Sequence, residues 1–201
     1  MSISERKERE KSEMRELVLQ TALKLFIDKG FENVSIRKIA DAIDYSPGTI
    51  YLYYKDKDEI LFELHNRGFS EFYKFQLAVQ NIEDPIARLD AHGRAYIDFA
   101  LSNPEYYDIM FIARAPAKKI KLFNNWELGD RTYSLLKDNV KSCIDAGYYQ
   151  GQNLEAVVFA LWAFVHGIAS LIIRERMQLV PKDVLQQLTA GALQFMKSTA
   201  K

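Results

Sequence analysis

The 201-residue chain holds one cysteine, three histidines, five prolines and nine glycines, and its formal net charge is zero. A lone cysteine, Cys143, excludes an intramolecular disulfide framework and any cysteine-rich zinc module. His65, His92 and His166 lie far apart, without metal-ligand spacing, so no metal site is expected. No stretch alternates apolar and polar residues between hairpin turn signals, which excludes a β architecture. Neither a phosphate-binding glycine loop nor a recognisable nucleophile motif is present, so the chain is expected to have no catalytic residues, no cofactor and no enzymatic activity. Its start, MSISERKEREKSEMRE, is charged where a signal peptide needs an apolar core, which implies the cytoplasm. Excess positive charge is missing too. With 27 basic against 27 acidic side chains, the usual global mark of a nucleic-acid binder is lacking.

What is present is helical periodicity. With 48% hydrophobic residues the chain can build a sizeable core, and the pattern predicts an all-α protein of about nine helices. Val18, Ala22, Leu25 and Phe26 share one face of a first helix over 5–29, ended by Gly30. Upstream, residues 5–16 carry five basic and five acidic side chains, the pattern of a solvated arm. Ser35 caps a short second helix with Ile36, Ile39, Ala40 and Ile43 on one face. After a turn at Asp44 and Tyr45, Ser46 caps a third over 46–54, with Pro47 in the first helical position. Asp56 and Glu59 form a capping-box pair opening a long fourth helix. Further helices are expected from Asp84-Pro85 to about 103, from Pro104, over 126–146, over 154–176 and from Pro181. Residues 114–124, which hold Lys118, Lys119, Lys121 and Phe123, read as an irregular solvated loop.

One run approaches the roughly 18–20 apolar residues that span a bilayer. Residues 156–173, AVVFALWAFVHGIASLII, are interrupted only by His166 and Ser170. The run stands alone, carries a histidine and is rich in small residues, so a helix buried on all sides by protein is expected, and no membrane partner.

Two short helices joined by a tight turn, with the first helix across them, form a helix-turn-helix at 35–54. Such a unit presents its second helix to the major groove. Ile50 and Tyr54 point inward, leaving Pro47, Gly48, Thr49, Tyr51 and Tyr53 outward. Gly48 lets the backbone approach DNA, Thr49 can read a base edge, and Tyr51 and Tyr53 offer hydroxyls to phosphates. Arg37, Lys38 and Lys57 can reach the backbone. On patterning alone a generic three-helix bundle explains these features equally well.

The exact string decides between them. ALKLF before Gly30-Phe31, then Ser35, Ile39-Ala40, Ser46, Gly48-Thr49-Ile50-Tyr51, and Tyr54 before Lys57 closely resemble the DNA-binding domain of the TetR family of bacterial regulators. Asp44 departs from the glycine usual at that turn, although aspartate tolerates the left-handed conformation better than most residues. Trp162, His166 and Gly167, with Asn103-Pro104, Tyr107, Met110 and Phe111, are similar to the WHG subclass of TetR C-terminal domains. The resemblance implies a charged arm (1–11), a DNA-binding domain (12–72) and a C-terminal effector-binding and dimerisation domain (73–201). It implies DNA contacts from Arg37, Ser46, Pro47, Gly48, Thr49, Tyr51, Tyr53 and Lys57, to which Lys38 is added from its position. It also implies a homodimer on palindromic double-stranded DNA, acting as a repressor released by a small apolar or amphipathic effector. Phe99, Tyr107, Met110, Phe111, Trp126, Phe159, Trp162 and His166 are the candidate effector contacts. A lone histidine on an apolar helix is more commonly a satisfied core group, and that reading of His166 stands beside the ligand one. Ala163, Gly167, Ser170, Leu185, Leu188 and Ala192 are the candidate dimer contacts. A regulator without a small-molecule ligand, constitutive or controlled by a protein partner, is the alternative. Residues 1–80 hold 13 basic and 14 acidic side chains, so any attraction for DNA must be local.

Overall fold

The computed structural model describes residues 2–113, 126–178 and 180–200; the stretch expected to be irregular, with Lys118, Lys119, Lys121 and Phe123, lies outside them. The described residues hold nine α-helices and no strand. They divide into two compact units, one made of residues up to Gly68 with 105–113, the other of Phe69–Pro104 and the residues from Trp126.

In the first unit α1 (Ile3–Lys29) starts earlier than its periodicity implies, because Ser2 and Glu5 close a capping box: Glu5 N–H donates to Ser2 Oγ at 3.1 Å and Ser2 N–H to Glu5 Oε2 at 2.7 Å. Pairs four residues apart, Arg6–Glu10 at 2.7 Å and Arg9–Glu13 at 3.4 Å, run along the exposed arm. Gly30 ends α1 at φ +77°, where a side chain would be strained. A short 3-10 turn (Phe31–Asn33) leads into α2 (Ile36–Ala42), capped by Ser35, whose Oγ accepts from Lys38 N–H at 3.2 Å. Asp44 takes the left-handed turn at φ +58°. Then α3 (Pro47–Tyr51) and α4 (Lys57–Leu77) follow. Val18, Leu19, Ala22, Phe26, Ile39, Ala40, Ile50, Tyr54, Ile60 and Leu64 form one buried core. At the start of α4, Glu59 N–H donates to Asp56 Oδ1 at 2.7 Å, while the Glu59 carboxylate reaches one residue further back, to Lys55 N–H at 2.6 Å. The short α6 (Pro104–Tyr107), which widens into a π-turn (Asp108–Ile112), lies in this unit from Glu105 onward, and Ile109 joins its core.

The second unit packs α5 (Pro85–Ser102), α7 (Glu127–Asp145) and α8 (Leu154–Ile173) on one another, with α9 (Lys182–Ser198) against α5. Asp84 caps α5 and Asn153 caps α8 through their side chains. Cys143 is fully buried, and burial pushes its thiol up to about 11, as expected of a small core hydrophobe. A polar box sits in this core. The Gln76 side-chain amide lies 3.0 Å from His92 Nε2 and 3.3 Å from the Thr132 carbonyl oxygen. Asn139 Nδ2 lies 3.0 Å from His92 Nδ1, and Arg88 Nε donates to Asn139 Oδ1 at 2.9 Å.

The apolar helix α8 corrects one expectation. It is long and apolar enough to cross a membrane by length and composition, yet only 28% of that window is buried in the chain. Val157, Val158, Leu161, Val165 and Ala169 face inward, whereas Phe159 is 68% exposed and Leu171 is also exposed. The helix is therefore covered by its own chain on one face and not on all sides. It also stops at Ile173 rather than Arg176, where Glu175 turns left-handed at φ +52°.

Candidate nucleic-acid interface

The third helix is short, and its start is locked. Ser46 Oγ accepts from Thr49 N–H at 3.2 Å and lies 3.1 Å from Thr49 Oγ1, with Pro47 in the first turn. Helical bonding ends at Tyr51; Leu52, Tyr53 and Tyr54 close as turns back to Thr49 and Ile50. Two anchors hold the helix down, since Ile50 and Tyr54 are essentially fully buried. The opposite face is bare: Gly48 and Tyr51 are exposed, with Pro47, Thr49 and Tyr53 partly so. Leu52, which the sequence reading left out, is the most exposed of these side chains at 78%. Gly48 has no structural need to be glycine. A Cβ there would meet only Ser46 Oγ at 3.5 Å, an ordinary contact.

The cations expected at phosphates differ in how they are held. Arg37 is exposed on α2. Lys38 is exposed as well, but its ammonium donates to the Asn33 carbonyl at 2.8 Å. Lys57 is tied further in. It donates to the Phe31 and Val34 carbonyls at 3.0 and 3.1 Å and lies 4.3 Å from the Phe31 ring centroid. An ammonium has three protons, so one remains for a phosphate. Lys57 thus pins the segment between α1 and α2 to the start of α4 as well as carrying charge. Arg15, also absent from the sequence reading, braces the recognition segment. It donates to the Tyr53 carbonyl at 3.0 Å, pairs with Glu63 and stacks 4.4 Å over the Tyr54 ring. Arg67 pairs with Glu16 and Glu63, which extends the brace along α4. Hydrogen bonds from Gln20 and Arg67 hold the Glu16 carboxyl below its ordinary range.

The residues expected at an effector do not gather in one unit. Tyr107, Met110 and Phe111 belong with the first unit, where Tyr107 is fully buried, its ring 5.3 Å from Phe111, and Met110 covers Gly68. Phe99, Trp126, Phe159, Trp162 and His166 belong to the second. There Phe99 is fully buried against Phe72 and Phe75 at 5.1 and 5.6 Å. Trp126 meets Phe69 edge-on at 5.9 Å, and Trp162 meets Tyr133 at 6.3 Å. Tyr96 Oη lies 3.1 Å from His166 Nδ1, and burial lowers the His166 pKa. Phe159 points away from this interior.

Comparison with known proteins agrees with this architecture. Residues 18–64 match the family model described as bacterial regulatory proteins, tetR family, and residues 89–195 match the tetracyclin repressor-like C-terminal domain. The chain belongs to the TetR family of DNA-binding transcriptional regulators. It is 25% identical over 162 residues to the HTH-type transcriptional regulator HbdR of Aromatoleum sp. (strain CIB), covering 78% of this chain and 69% of that one. The fatty acid degradation regulator FadR from Bacillus halodurans has the same fold, with a TM-score of 0.72 at 16% identity over 90% of this chain and 93% of that one. AibR, solved in complex with isovaleryl coenzyme A and operator DNA, matches with a TM-score of 0.63 at 22% identity over 78% of this chain and 85% of that one.

Proposed function

We propose that the chain is a cytoplasmic homodimeric repressor, released from a palindromic operator by a small apolar or amphipathic effector bound in the second unit. The observation that carries the DNA-binding part is the bare face of α3: a capped helix anchored by Ile50 and Tyr54 that leaves Gly48, Tyr51 and Leu52 uncovered. Arg37, Lys38, Ser46, Pro47, Thr49, Tyr53 and Lys57 flank that face and supply phosphate and base-edge contacts.

The dimer is supported by the uncovered sides of α8 and α9. Phe159, Ala163 and Leu171 are exposed on α8, as are Val184, Leu188 and Phe195 on α9. Gly167 and Gly191 have open space above them, which suits close helix approach. Ser170, Leu185 and Ala192 are half-buried beside them. This reading moves Phe159 from the effector to the dimer contact. Release follows when the effector binds one of two dimer states more tightly, so that the α3 helices no longer match the groove spacing. AibR, with its acyl coenzyme A and operator DNA, supports an effector of amphipathic character.

Selection from random double-stranded DNA by the purified chain should return an inverted repeat, with half-sites ~34–36 Å apart or a multiple of it. A lack of sequence preference overturns the reading. Gly48→Ala provides a sharper check. The fold should tolerate the methyl group, whereas operator affinity should fall about ten-fold because the backbone can no longer approach the groove as closely. Melting and fluorescence anisotropy measured together separate the two effects. Unchanged affinity would remove Gly48 from the contact.

A further inference from the structure

The first helix overhangs its own core. Met14 is the first residue of α1 packed against that core, and residues 2–13 are all exposed. At ~1.5 Å per residue the overhang from Ile3 is roughly 16 Å long. Burial does not keep it helical. The Ser2–Glu5 capping box and the Arg6–Glu10 and Arg9–Glu13 pairs do.

The charges of residues 5–16 sum to zero, but the fold sorts them by face. Arg6 and Arg9 are each held by a carboxylate four residues on. Glu5 closes the cap, Glu16 pairs with Arg67, and Arg15 pairs with Glu63. Among the described residues, Lys7, Glu8 and Lys11 are the charges of the arm left over. Lys7, Lys11 and Arg15 stand at i, i+4 and i+8, within about 80° of one another around the helix. Arg6 and Arg9 stand at least about 100° from each of the three. Arg15 shows what this line faces. It donates to the Tyr53 carbonyl at 3.0 Å and stacks over the Tyr54 ring, at the end of the recognition segment. Its own charge is spent there on Glu63, so only the two lysines further along the line carry charge outward.

We propose that the overhang of α1 is a second DNA contact, in which Lys7 and Lys11, aligned with Arg15, bind backbone phosphates beside those met by α3. This rests on the DNA-binding reading above and adds a sequence-independent attraction to it. An ammonium on a flexible stem suits a phosphate as a point charge, without demanding one geometry. The line leads onto the recognition segment and not onto a separate face, which favours DNA over an acidic protein surface. Glu8 lies three residues before Lys11 and opposes the contact. A chain of zero net charge thus gains local attraction by pairing its other arm cations internally and leaving these two unpaired.

The test uses the full chain with the selected operator and with a random duplex of the same length. Lys7→Gln combined with Lys11→Gln keeps helix propensity and removes the two ammonium groups. It should weaken binding to both duplexes alike, by at least about ten-fold at ~0.1 M salt. The slope of log affinity against log salt should fall by about 3–4, at ~0.9 for each of the four lysines in a dimer. Lys7→Arg with Lys11→Arg should bind as the wild type does. Arg6→Gln with Arg9→Gln makes the same change of charge on the other side of the helix and should lower the slope by less than about 1. Glu8→Gln should strengthen binding about two- to three-fold. Equal losses from the lysine and arginine pairs overturn the aligned contact. A loss on the operator alone also overturns it, because the arm would then act by positioning α3. If an operator is selected and the lysine pair leaves affinity and slope unchanged, the regulator stands and the contact fails, which leaves the overhang to a partner other than DNA. If no operator is selected while the lysine pair lowers the slope on the random duplex, the contact stands and sequence-specific regulation fails.

Discussion

Ala163→Arg is expected to leave each chain folded, convert the dimer to a monomer and lower operator affinity by about 10²–10⁴. Ala163 is exposed in the single chain, so an arginine there costs the monomer little. In the proposed dimer the same position lies between α8 and its symmetry mate, one helical turn from Phe159, which is 68% exposed, and close to the open space above Gly167. A charged side chain placed there would be buried without a partner. The contact it disrupts is substantial. Covering the exposed area of Phe159, and of Phe195 at 66%, is worth roughly 2–3 kcal/mol for each ring. The loss on DNA follows from geometry, because two recognition helices on one rigid dimer turn the second half-site contact into an intramolecular one. Light scattering and anisotropy on the selected operator check it together. A variant that stays dimeric with unchanged affinity would show that the dimer contact lies elsewhere.

The local parts of this molecule were legible in the sequence, and the tertiary parts were legible only where an exact motif stood in for them. Caps act over three residues, so Ser35, Ser46 and Asp84 announced their helices and Gly30 its stop. The left-handed turn at Asp44 was readable for the same reason, as the conformation belongs to one residue. Arg15 was not readable, because its role depends on the Tyr53 carbonyl and on Glu63, 38 and 48 residues away. Lys57 was read as a phosphate contact from its position past the motif, and nothing in the string shows the carbonyls of Phe31 and Val34 that hold it. The apolar run of α8 showed that the helix avoids water, but not what covers it. Hydrophobicity is the same whether the cover is the chain's own core or a second copy, so the run alone does not show that Phe159 is exposed in the single chain. The buried box around His92 has no signature in the string, because amides and a histidine from α4, α5 and α7 carry no spacing signal.

Acid should weaken the fold well before most carboxylates titrate, and two histidines supply the effect. His65 and His92 are 2% and 3% exposed, and burial lowers each pKa from 6.5 to about 4. The folded chain therefore resists protonation that the unfolded chain accepts. Because the folded pKa is depressed, the stability linked to each ring is fully present above pH 6.5 and declines as pH falls toward 4. Between about pH 7 and pH 5 each ring should cost roughly 2 kcal/mol, and the pair a large share of the ~5–15 kcal/mol typical of a folded protein. Urea unfolding at both pH values measures the sum. His92→Gln isolates one contribution, since glutamine cannot titrate and can still hydrogen-bond within the box. Whatever it costs at pH 7, its further loss on going to pH 5 should be smaller than that of the wild type by about 2 kcal/mol. An equal loss in variant and wild type would mean that His92 is already as easily protonated in the folded chain as in the unfolded one, and the burial argument for the box would fail with it.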